Sequence, residues 1–410
     1  MNILYINHYA GSLNMGMEFR PYYLAREWQK KGHNVRILSA SYSHLRNHNP
    51  DIEKDFSIME IDGIEYQWVK TREYQGNGVS RIITMLQFCG KIYTNAGKIA
   101  NNFKPDIVIA SSTYPMDAYA ANRIAKKANC RYIHEVHDMW PITPIELYNM
   151  SPKHPFVMIV QHAENYFCKH ADKVVSILPC AKDYFVEHGM KDNKFVYIPN
   201  GIEVSDWENP ECLPILHQET IQKAHEQGRF VLVFFGSHTK SYSIDYLIHA
   251  ISEMDQSKLF VAFVGEGNYK TELIKLAEEC RISQDCYQFL PAINKQAIPS
   301  LLDMCDASYV GAIKNKMFRF GIGMNKLFDA MMGEKPILYA VEAPNNFVEE
   351  YQCGVSVEAE NVEVLKTGFE TLIAMDEQSR KLLGQNGQKA VLKHFTYPVL
   401  ADKFLDEITH

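Results

Sequence analysis

Apolar runs alternate with amphipathic segments along the first half of the chain. The runs NILYINHY (2–9) and HNVRILSAS (33–41) flank a segment, residues 17–32, in which apolar side chains recur with a helical period. The same order returns in PDIVIASS (105–112), which is followed by a helical pattern and then by CRYIHEVHD (130–138). A strand, a helix and a second strand in this order form a βαβ unit, which predicts a parallel sheet.

The second half of the chain repeats this rhythm after a polar stretch at about 203–228, which we interpret as a linker. We predict its strands at residues 229–237, 258–267, 286–292, 306–313 and 335–340. These patterns favour two α/β domains, residues 1–204 and 205–395, with a C-terminal helix at about 396–410 that packs back on the first domain. Paired α/β domains normally bind a ligand in the cleft at the carboxyl ends of their strands, so we expect a site there.

Composition narrows the class of protein without defining an activity. The chain has 410 residues, of which 46% are apolar and 22% are charged, as in soluble globular proteins. No apolar run reaches the roughly 18 to 20 residues of a membrane span, and the first residues show no secretory signal. Nine cysteines without a CxxC pair suit a reducing compartment. We therefore expect a cytoplasmic protein.

The charge distribution bears on the partners. The net charge of −7 argues against a nucleic-acid partner. Residues 1–200 hold 23 Lys and Arg against 19 Asp and Glu, whereas the remainder holds 19 against 30. A basic first half would suit contact with anionic lipid or with a phosphate-bearing acceptor. Ordinary scatter of surface charge is the alternative, and counting alone leaves both open.

Glycines follow several of the predicted strands. GSLNMG (11–16) and GEGNYK (265–270) fit neither the dinucleotide fingerprint nor the Walker loop, which disfavours a dehydrogenase. Each glycine by itself is typical of a turn. Together with Gly236 and Gly321, however, these loops place backbone N–H groups at strand ends, and that arrangement suits phosphate.

The segment FGIGMNKLFDAMMGEKPIL (320–338) joins a glycine loop to a helix that we predict to begin at about Asn325, with this residue as its N-cap. The first amides of a helix lack internal partners and lie at the positive end of its dipole. Asp329, one turn further on, could accept hydrogen bonds from a ribose diol. A helix cap with no ligand is the alternative. The cations nearby favour a site for a nucleoside diphosphate, and they are Lys314, Lys316, Arg319 and Lys326.

Seven stretches of the chain resemble, in order, motifs of the retaining family-4 glycosyltransferases with GT-B architecture. They are INHYAG…GMEFRPYYLAREWQKKGHNV (6–35), TREYQGNGVSRIITMLQF (71–88), EVHDMWP (135–141), YIPNGIE (197–203), FFGSHTKSYSIDYLIHA (234–250), FVGEGNYK (263–270) and GIGMNKLFDAMMGEKPIL (321–338). The sequence is most similar to the bacterial O-antigen and capsule branch, which includes N-acetyl-fucosaminyl transferases. The resemblance implies two Rossmann-like domains that face each other across a cleft, the first for the acceptor and the second for the donor.

The resemblance also implies the substrates. The donor would be a UDP-sugar, in which the sugar is a hexose or an N-acetylated amino or deoxy sugar. The acceptor would be lipid-linked or an oligosaccharide, in the biosynthesis of a surface polysaccharide. We expect no cofactor. We also expect no metal, because the chain lacks an Asp-x-Asp motif and because His134 and His137 lie three apart on a strand and so point to opposite faces.

By the same resemblance, the donor-binding residues that we predict are Gly16, Gly236, Ser237, Lys240, Gly265, Lys314, Arg319, Phe320, Gly321, Ile322, Gly323, Met324, Asn325, Lys326, Leu327 and Asp329. The family has two glutamates with seven residues between them. The second maps to Asp329. The first maps to Gly321, so the carboxylate that usually touches the donor sugar is absent, and backbone N–H groups of residues 320–324 would replace it.

The usual arginine and lysine of the diphosphate site are also displaced. Ser237 and Tyr242 stand near their expected places, and His238 and Lys240 are the available substitutes.

In the first domain, EVHDMWP places His137 and Asp138 at the end of a strand. A structural hydrogen-bonded pair is the alternative, but a family residue here lies beside the transferred sugar, so we predict His137 and Asp138 as catalytic. Arg20 is predicted to contact an acceptor phosphate, with an ordinary helix-surface position as the alternative. Residues 81–104 predict an amphipathic helix that is either a core helix or one that also lies peripherally on the anionic inner face of a membrane.

Two other functions share this fold. A UDP-sugar 2-epimerase needs acid and base carboxylates around the sugar, and Gly321 weakens that interpretation. A catalytically inactive protein that binds a nucleotide-sugar is the second alternative, because the first glutamate is missing. The presence of Lys326, Asp329 and the His-Asp-Met-Trp-Pro segment argues for an active transferase.

Overall fold

The computed structural model describes residues 1–16, 18–76 and 78–409. Their contacts divide the chain into two compact units. The first unit contains residues 1–200 and the helix that begins at Tyr397, and the second contains Gly201–Thr396. The predicted boundary at residue 204 therefore lies four positions beyond the one that the contacts give.

The first unit is built on an eight-stranded sheet. Its strands are β1 (Asn2–Ile6), β2 (Asn34–Ala40), β3 (Ser57–Ile61), β4 (Ile64–Val69), β5 (Ile107–Ala110), β6 (Arg131–Val136), β7 (Lys173–Ser176) and β8 (Phe195–Tyr197). They lie in the order β3-β4-β2-β1-β5-β6-β7-β8. All neighbouring pairs are parallel except β3 with β4. The sheet is therefore doubly wound about β1, as the βαβ patterns predict.

Helices cover both faces of this sheet. In chain order they are α1 (Arg20–Lys30), α2 (Val79–Phe103), α3 (Ala118–Ala128), α4 (Ile142–Glu146), α5 (Pro155–His170) and α6 (Lys182–Glu187). Short 3-10 helices lie at Pro115–Asp117 and Asp192–Lys194. The first helix begins three residues later than its predicted start at 17, with Pro21 in its first turn, where the missing N–H of proline costs no hydrogen bond.

The second unit is built on a six-stranded parallel sheet. Its strands are β9 (Phe230–Phe235), β10 (Leu259–Val264), β11 (Tyr287–Leu290), β12 (Ala307–Gly311), β13 (Ile337–Ala340) and β14 (Gly354–Ser356), in the order β11-β10-β9-β12-β13-β14. Every residue of β9 and β10 is buried, as in strands covered on both faces. Alternate residues of β9 enter two different core clusters, one on each side of the sheet.

The remaining helices are α7 (Ser205–Glu208), α8 (Ile215–Glu226), α9 (Ile244–Ser252), α10 (Lys270–Glu279), α11 (Ile298–Asp303), α12 (Asn325–Met332), α13 (Phe347–Glu350), α14 (Val362–Ala374), α15 (Glu377–His394) and α16 (Tyr397–Thr409). Further 3-10 helices lie at Lys240–Tyr242, Lys295–Ala297 and Lys316–Phe320.

The interpretation of residues 203–228 as a linker is wrong. This stretch contains α7 and α8, and α8 buries Ile221 and Ala224 in the core of the second unit.

The last helix, α16, belongs to the first unit. Trp28 on α1 donates a hydrogen bond from its indole nitrogen to the carbonyl of Ala401, at 3.1 Å. The Trp28 ring also packs edge-to-face on Phe404, and Tyr23 lies 4.6 Å from Tyr397 between ring centroids. The chain therefore returns from the second unit to complete the core of the first.

Candidate functional site

The carboxyl ends of β9, β10 and β11 surround a pocket in the second unit. Its volume is about 320 Å³, within the range of small-molecule sites. Its lining combines apolar side chains with the backbone of two glycine loops, and consists of Phe235, Gly236, Ser237, Val264, Gly265, Glu266, Ala292, Ile293 and Ile298. Three of the predicted donor-binding residues, Gly236, Ser237 and Gly265, thus lie together.

The two glycine loops of this pocket are in contact through their backbones. A Cβ atom on Gly265 would lie 1.9 Å from the carbonyl oxygen of Gly236, and one on Gly267 would lie 2.2 Å from that of His238. The amide of His238 donates to the carbonyl of Glu266 at 2.8 Å. The GxG at 265–267 therefore serves the packing of one loop on the other, because only glycine permits this approach.

The loop before α12 is held by a side chain that lies further along the chain. Asn345, which is buried, accepts a hydrogen bond from the amide of Ile322 and donates one to its carbonyl, both at 2.8 Å. Gly321 has φ 103°, a backbone conformation that side-chain-bearing residues rarely adopt. A glutamate at this position would strain the loop, so glycine here is a requirement of the backbone.

The start of α12 differs by one residue from the prediction. Asn325 is the first helical residue, and the N-cap is Met324, whose side chain makes no capping hydrogen bond. The prediction of Asn325 as the cap is wrong because the chain enters the helix one residue earlier, with extended angles at Met324. The first amides of α12 therefore have no side-chain acceptor from the N-cap.

Lys326 lies in the first turn of α12, and its surroundings are unusual for a charged side chain. Its Nζ atom is buried and has no hydrogen-bond partner among the described residues. It lies 3.4 Å from the centroid of the Tyr242 ring and 4.2 Å from that of Phe234. Burial lowers the pKa of Lys326 from 10.5 to about 7. A Cβ on the exposed Gly236 would lie 3.0 Å from Nζ, so the amine lies directly behind the pocket's glycine.

Asp329 lies one turn further along α12 and is also buried. Burial raises the pKa of its carboxyl from 3.8 to about 6, the nearby Lys295 opposes this shift, and Asp206 adds to it. Lys295 is in turn 3.3 Å from a carboxylate oxygen of Asp206. Lys326 and Asp329 thus stand on one helix, three positions apart and on neighbouring turns, as a ribose and a diphosphate of one ligand would require.

The structure shows the surroundings of three other predicted cations. Lys314 pairs with Glu358 at 2.6 Å and with Glu342 at 3.2 Å. Arg319 donates to the carbonyl of Lys316 at 2.7 Å, and its guanidinium lies over the ring of Phe320. Lys240 is exposed at the 3-10 helix after β9. Their assignment to the donor stays a prediction, and so does the expected convergence of cations on the helix start.

In the first unit, Gly16 lies in a tight loop after β1. Its amide donates to the carbonyl of Ser12 at 3.0 Å, and the amide of Asn47 donates to the carbonyl of Met15 at 2.8 Å. The loop is therefore fixed by its own backbone. Met17, which follows, lies outside the described residues, and the assignment of Gly16 to the donor stays a prediction.

The predicted catalytic residue His137 lies in a buried polar network at the ends of β1, β5 and β6. Its Nε2 atom is 2.8 Å from the hydroxyl of Ser111 and 3.2 Å from a carboxylate oxygen of Glu135. The same oxygen accepts hydrogen bonds from Tyr5 and from Ser111. Burial alone would lower the pKa of His137, but the attraction of Glu135 outweighs it, and the pKa is raised above 6.5.

Asp138 is turned away from this network. One carboxylate oxygen accepts from the amide of Met139 at 2.9 Å and from the hydroxyl of Thr143 at 2.8 Å. The other accepts from the indole nitrogen of Trp140 at 3.1 Å. In this arrangement Asp138 fixes the turn that follows β6 and makes no hydrogen bond to His137, and its catalytic role stays a prediction.

Arg20 is buried, with 2% of its side chain exposed, so the surface position considered above is wrong. Its Nε donates to Glu135 at 2.9 Å, and its other nitrogens donate to the carbonyls of Pro199 and Ile198 at 2.6 and 3.1 Å. These bonds tie α1 to the ends of β6 and β8. The guanidinium thus links elements inside the first unit, and its contact with an acceptor phosphate stays a prediction.

Two classes of residue were missed by sequence reasoning. Glu135 lies two positions before His137, so strand alternation places both side chains on the same face, and that signal was available. Ser111, Tyr5 and Asn345 reach their sites through the tertiary fold, and no local pattern marks them.

In residues 1–16, 18–76 and 78–409, no group of three or more His, Cys, Asp or Glu side chains is placed to hold a metal ion. Within the same ranges, no helix is both long and apolar enough to cross a membrane.

Comparison with known protein families assigns the two halves of the chain. Residues 15–201 match a glycosyl transferase 4-like domain, and residues 217–390 match glycosyl transferases group 1. Together the two matches span both units and define a glycosyltransferase with the GT-B fold. The chain thus belongs to the glycosyltransferases. Comparison with curated protein sequences gives no significant match.

Solved structures with the same fold cover nearly the whole chain. HepE from Anabaena, in complex with UDP, aligns with a TM-score of 0.70 at 14% identity and covers 100% of each chain. WaaG, a glycosyltransferase involved in lipopolysaccharide biosynthesis, aligns with a TM-score of 0.66 at 14% identity and covers 99% of each chain. The lipopolysaccharide outer core galactosyltransferase WaaB gives 0.64 at 13% identity, over 100% of this chain and 99% of its own. The predicted GT-B fold is confirmed.

Proposed function

We propose that this protein transfers a sugar from a UDP-sugar to a lipid-linked or oligosaccharide acceptor, with retention of the anomeric configuration and without a metal ion. The observation that supports this best is Lys326. Its amine is buried behind the exposed Gly236 at the end of β9 and has no hydrogen-bond partner among the described residues. The diphosphate of a donor would supply an anion to pair with this amine.

The donor would lie along the carboxyl edge of the second sheet. The base and ribose would occupy the pocket beside Gly236 and Gly265, and Asp329 would accept hydrogen bonds from the ribose hydroxyls. The diphosphate would lie between Gly236 and the start of α12, where backbone N–H groups and Lys326 neutralise it. HepE, which shares the fold, binds UDP, and this supports the choice of nucleotide.

In the reaction that we propose, the acceptor hydroxyl attacks the anomeric carbon as the bond to the UDP oxygen breaks. The hydroxyl proton passes to the departing phosphate oxygen, so that UDP leaves from the face that the acceptor enters. The protein then needs no nucleophile. Its contribution is electrostatic, because Lys326 and the start of α12 stabilise the charge that develops on the diphosphate. We propose His137 as a catalytic residue because of its place in the EVHDMWP segment.

The acceptor side is proposed to include a lipid surface. The α2 helix buries Met85, and it exposes apolar side chains at positions with helical spacing, which are Val79, Ile83, Leu86 and Tyr93. These residues form one stripe on the helix. WaaG and WaaB act in lipopolysaccharide biosynthesis, which supports a surface polysaccharide as the product. Flotation with anionic liposomes tests the contact, and a protein that stays at the bottom of the gradient would refute it.

The donor assignment is tested by thermal shift with UDP, GDP, ADP and NAD, first without metal and then with magnesium. We expect UDP alone to raise the melting temperature, to the same extent with and without magnesium. The Lys326→Met variant should lose most of the shift. A wild-type protein that responds to no nucleoside diphosphate would refute the proposed donor site.

A second candidate is a nucleotide-sugar-binding protein without activity. The observation that favours it is Gly321, since the backbone there excludes the carboxylate that this family usually places at the donor sugar. Release of UDP from candidate UDP-sugars, measured with purified protein, separates the two candidates. Binding without release of UDP or transfer would favour the inactive protein.

A further inference from the structure

Two aromatic rings enclose the amine of Lys326. Phe234 belongs to β9, and Tyr242 ends the 3-10 helix that follows it. Nζ lies 4.2 Å from the centroid of the first ring and 3.4 Å from that of the second. Both distances are well inside the roughly 6 Å over which a cation is attracted to the face of an aromatic ring. The faces of these two rings therefore hold the amine of Lys326.

The position of Tyr242 is fixed by the backbone of its own loop. Its amide donates to the carbonyl of Thr239 at 3.2 Å, and the carbonyl of Ser241 accepts from the amide of Ile313 at 3.1 Å. The second of these bonds ties the loop to the end of β12. Because none of these contacts involves Lys326, the ring is a pre-formed wall against which the amine rests.

Among the described residues, no carboxylate opposes the effect of burial on the pKa of Lys326. The nearby His238 is fully buried. Burial and the charge of Lys270 lower its pKa to about 4, so it is neutral near pH 7. Lys270 itself is bonded to the carbonyl of Gly265 and to Glu266. The rings are thus the stabilising contacts of Lys326 until an anion arrives.

We propose that Tyr242, together with Phe234, is a positioning residue for the donor: its ring holds the amine of Lys326 behind Gly236, where the diphosphate binds. This rests on the proposed function, since it assumes that the diphosphate of the donor lies at Gly236. Without the ring, the flexible lysine side chain would lose its fixed position, and diphosphate binding would have to restore it at a cost in side-chain entropy.

The test compares UDP with uridine, which has the same base and ribose and no phosphate. Dissociation constants are measured by calorimetry for the wild type, Tyr242→Phe and Tyr242→Leu. The Phe variant keeps the ring and should bind UDP as the wild type does. The Leu variant should bind UDP about tenfold more weakly and uridine with unchanged affinity, as expected for the loss of a buried cation–π contact.

A double-mutant cycle with Lys326→Met separates positioning from structure. In that background, Tyr242→Leu should have no further effect on UDP binding. Tyr242→Met, which fills a similar volume without a π-face, replaces the Leu variant if that protein does not fold. Equal UDP binding by the wild type and the ring-less variants would overturn the proposal, and so would an equal loss of UDP and uridine. A wild type that fails to bind UDP would overturn the proposed function as well.

Discussion

The charge of Lys326 changes with pH near neutrality, so its role in UDP binding can be tested by varying the pH. Its pKa is lowered to about 7 by burial, so the free protein holds a mixture of amine and ammonium near neutrality. A bound diphosphate favours the ammonium, and binding therefore takes up protons above that pKa. We expect the affinity for UDP to fall by up to about tenfold per pH unit between pH 7 and 9.

The control is Lys326→Met, whose weaker UDP affinity should change little over the same window. His238 stays neutral there because its pKa is about 4. Burial raises the pKa of Tyr242, which keeps its hydroxyl protonated as well. Calorimetry in buffers of different ionisation enthalpy measures the proton uptake directly, and an uptake of zero at pH 8 would contradict this account.

Asp329 and Lys326 should affect different kinetic constants. Asp329→Ala removes the proposed ribose contact and should raise the KM for the donor about ten- to a hundredfold, as expected for a hydrogen bond to a charged group. Lys326→Ala should lower kcat about a hundredfold, because charge on the leaving group develops in the transition state. Lys335→Ala is the control, because Lys335 lies just before β13, at the amino end of this strand. Rates like those of the wild type in both site variants would show that the site is misplaced.

Arg20 should contribute to stability more than to substrate binding. Arg20→Met leaves Glu135 buried without its main counter-charge, and we expect it to lower the free energy of unfolding by about 3–5 kcal/mol. Lys31→Met, which breaks the exposed pair with Asp402, should cost no more than about 1 kcal/mol. Denaturant unfolding measures both, and a stable Arg20→Met protein with a raised KM for the acceptor would instead support the acceptor contact.

Glu135 and His137 both have shifted pKa values, and these shifts determine how their network contributes to stability at different pH. The folded-state pKa of Glu135 is lowered, mainly by Arg20 against the opposing effect of burial. Its contribution to stability is therefore present above its unfolded pKa and is lost as the pH falls through the folded value. His137, whose pKa is raised, contributes stability below its unfolded pKa and loses that contribution as the pH rises through the folded value.

At the scale of elements, the parallel strands were predictable and the sheet edges were not. Continuous apolar runs such as FVLVFF mark strands buried on both faces. The pair β3 and β4 was missed, although Asp62-Gly63 between them is a typical hairpin turn, with φ of 50° and 80°. The strand β3 exposes most of its residues, so it lacks the apolar run by which the other strands were recognised.

The helix α8 was also missed, because its sequence resembles that of a polar linker. Its sequence is rich in Gln, Glu and His, and composition alone therefore favoured a linker. A few buried positions, His217, Ile221 and Ala224, are enough to hold it on the sheet. These positions follow a helical spacing, but such a sparse pattern is decided by tertiary packing and not by local propensity.

Gly265 and Gly90 should respond to alanine in opposite ways. A Cβ at Gly265 would collide with the carbonyl of Gly236, so Gly265→Ala should lower the free energy of unfolding by more than about 1–2 kcal/mol and weaken UDP binding. Gly90 lies within α2 with open space around it, and Gly90→Ala should stabilise the protein by about 0.5–1 kcal/mol. Thermal and denaturant unfolding measure the two effects, and equal stabilities would contradict the packing argument.

At the scale of the whole molecule, the second unit is one continuous segment, Gly201–Thr396. It contains every predicted donor-binding residue except Gly16. Expressed alone, this segment should fold and bind UDP with an affinity close to that of the whole protein. Circular dichroism and calorimetry measure this, and a folded segment without UDP affinity would mean that the first unit supplies an essential part of the donor site.

The two α/β units and the helix that begins at Asn325 could be predicted from the sequence, because strand and helix periodicity are local signals. The roles of individual charges could not. Lys314, Arg319 and Lys326 look alike in the sequence. In the structure, however, Lys314 pairs with carboxylates and Arg319 lies over an aromatic ring, whereas the amine of Lys326 is buried behind Gly236. Such differences depend on which side chains from distant segments meet them.

The return of α16 to the first unit has a consequence for synthesis on the ribosome. Residues 1–200 emerge first, but Trp28 and Tyr23 on α1 gain their partners Ala401, Phe404 and Tyr397 only when the last helix has left the exit tunnel. The core of the nascent first unit therefore stays partly exposed while the whole second unit is translated. The second unit, which is contiguous, can fold in the meantime, so the half that is made last is the first that can be completed.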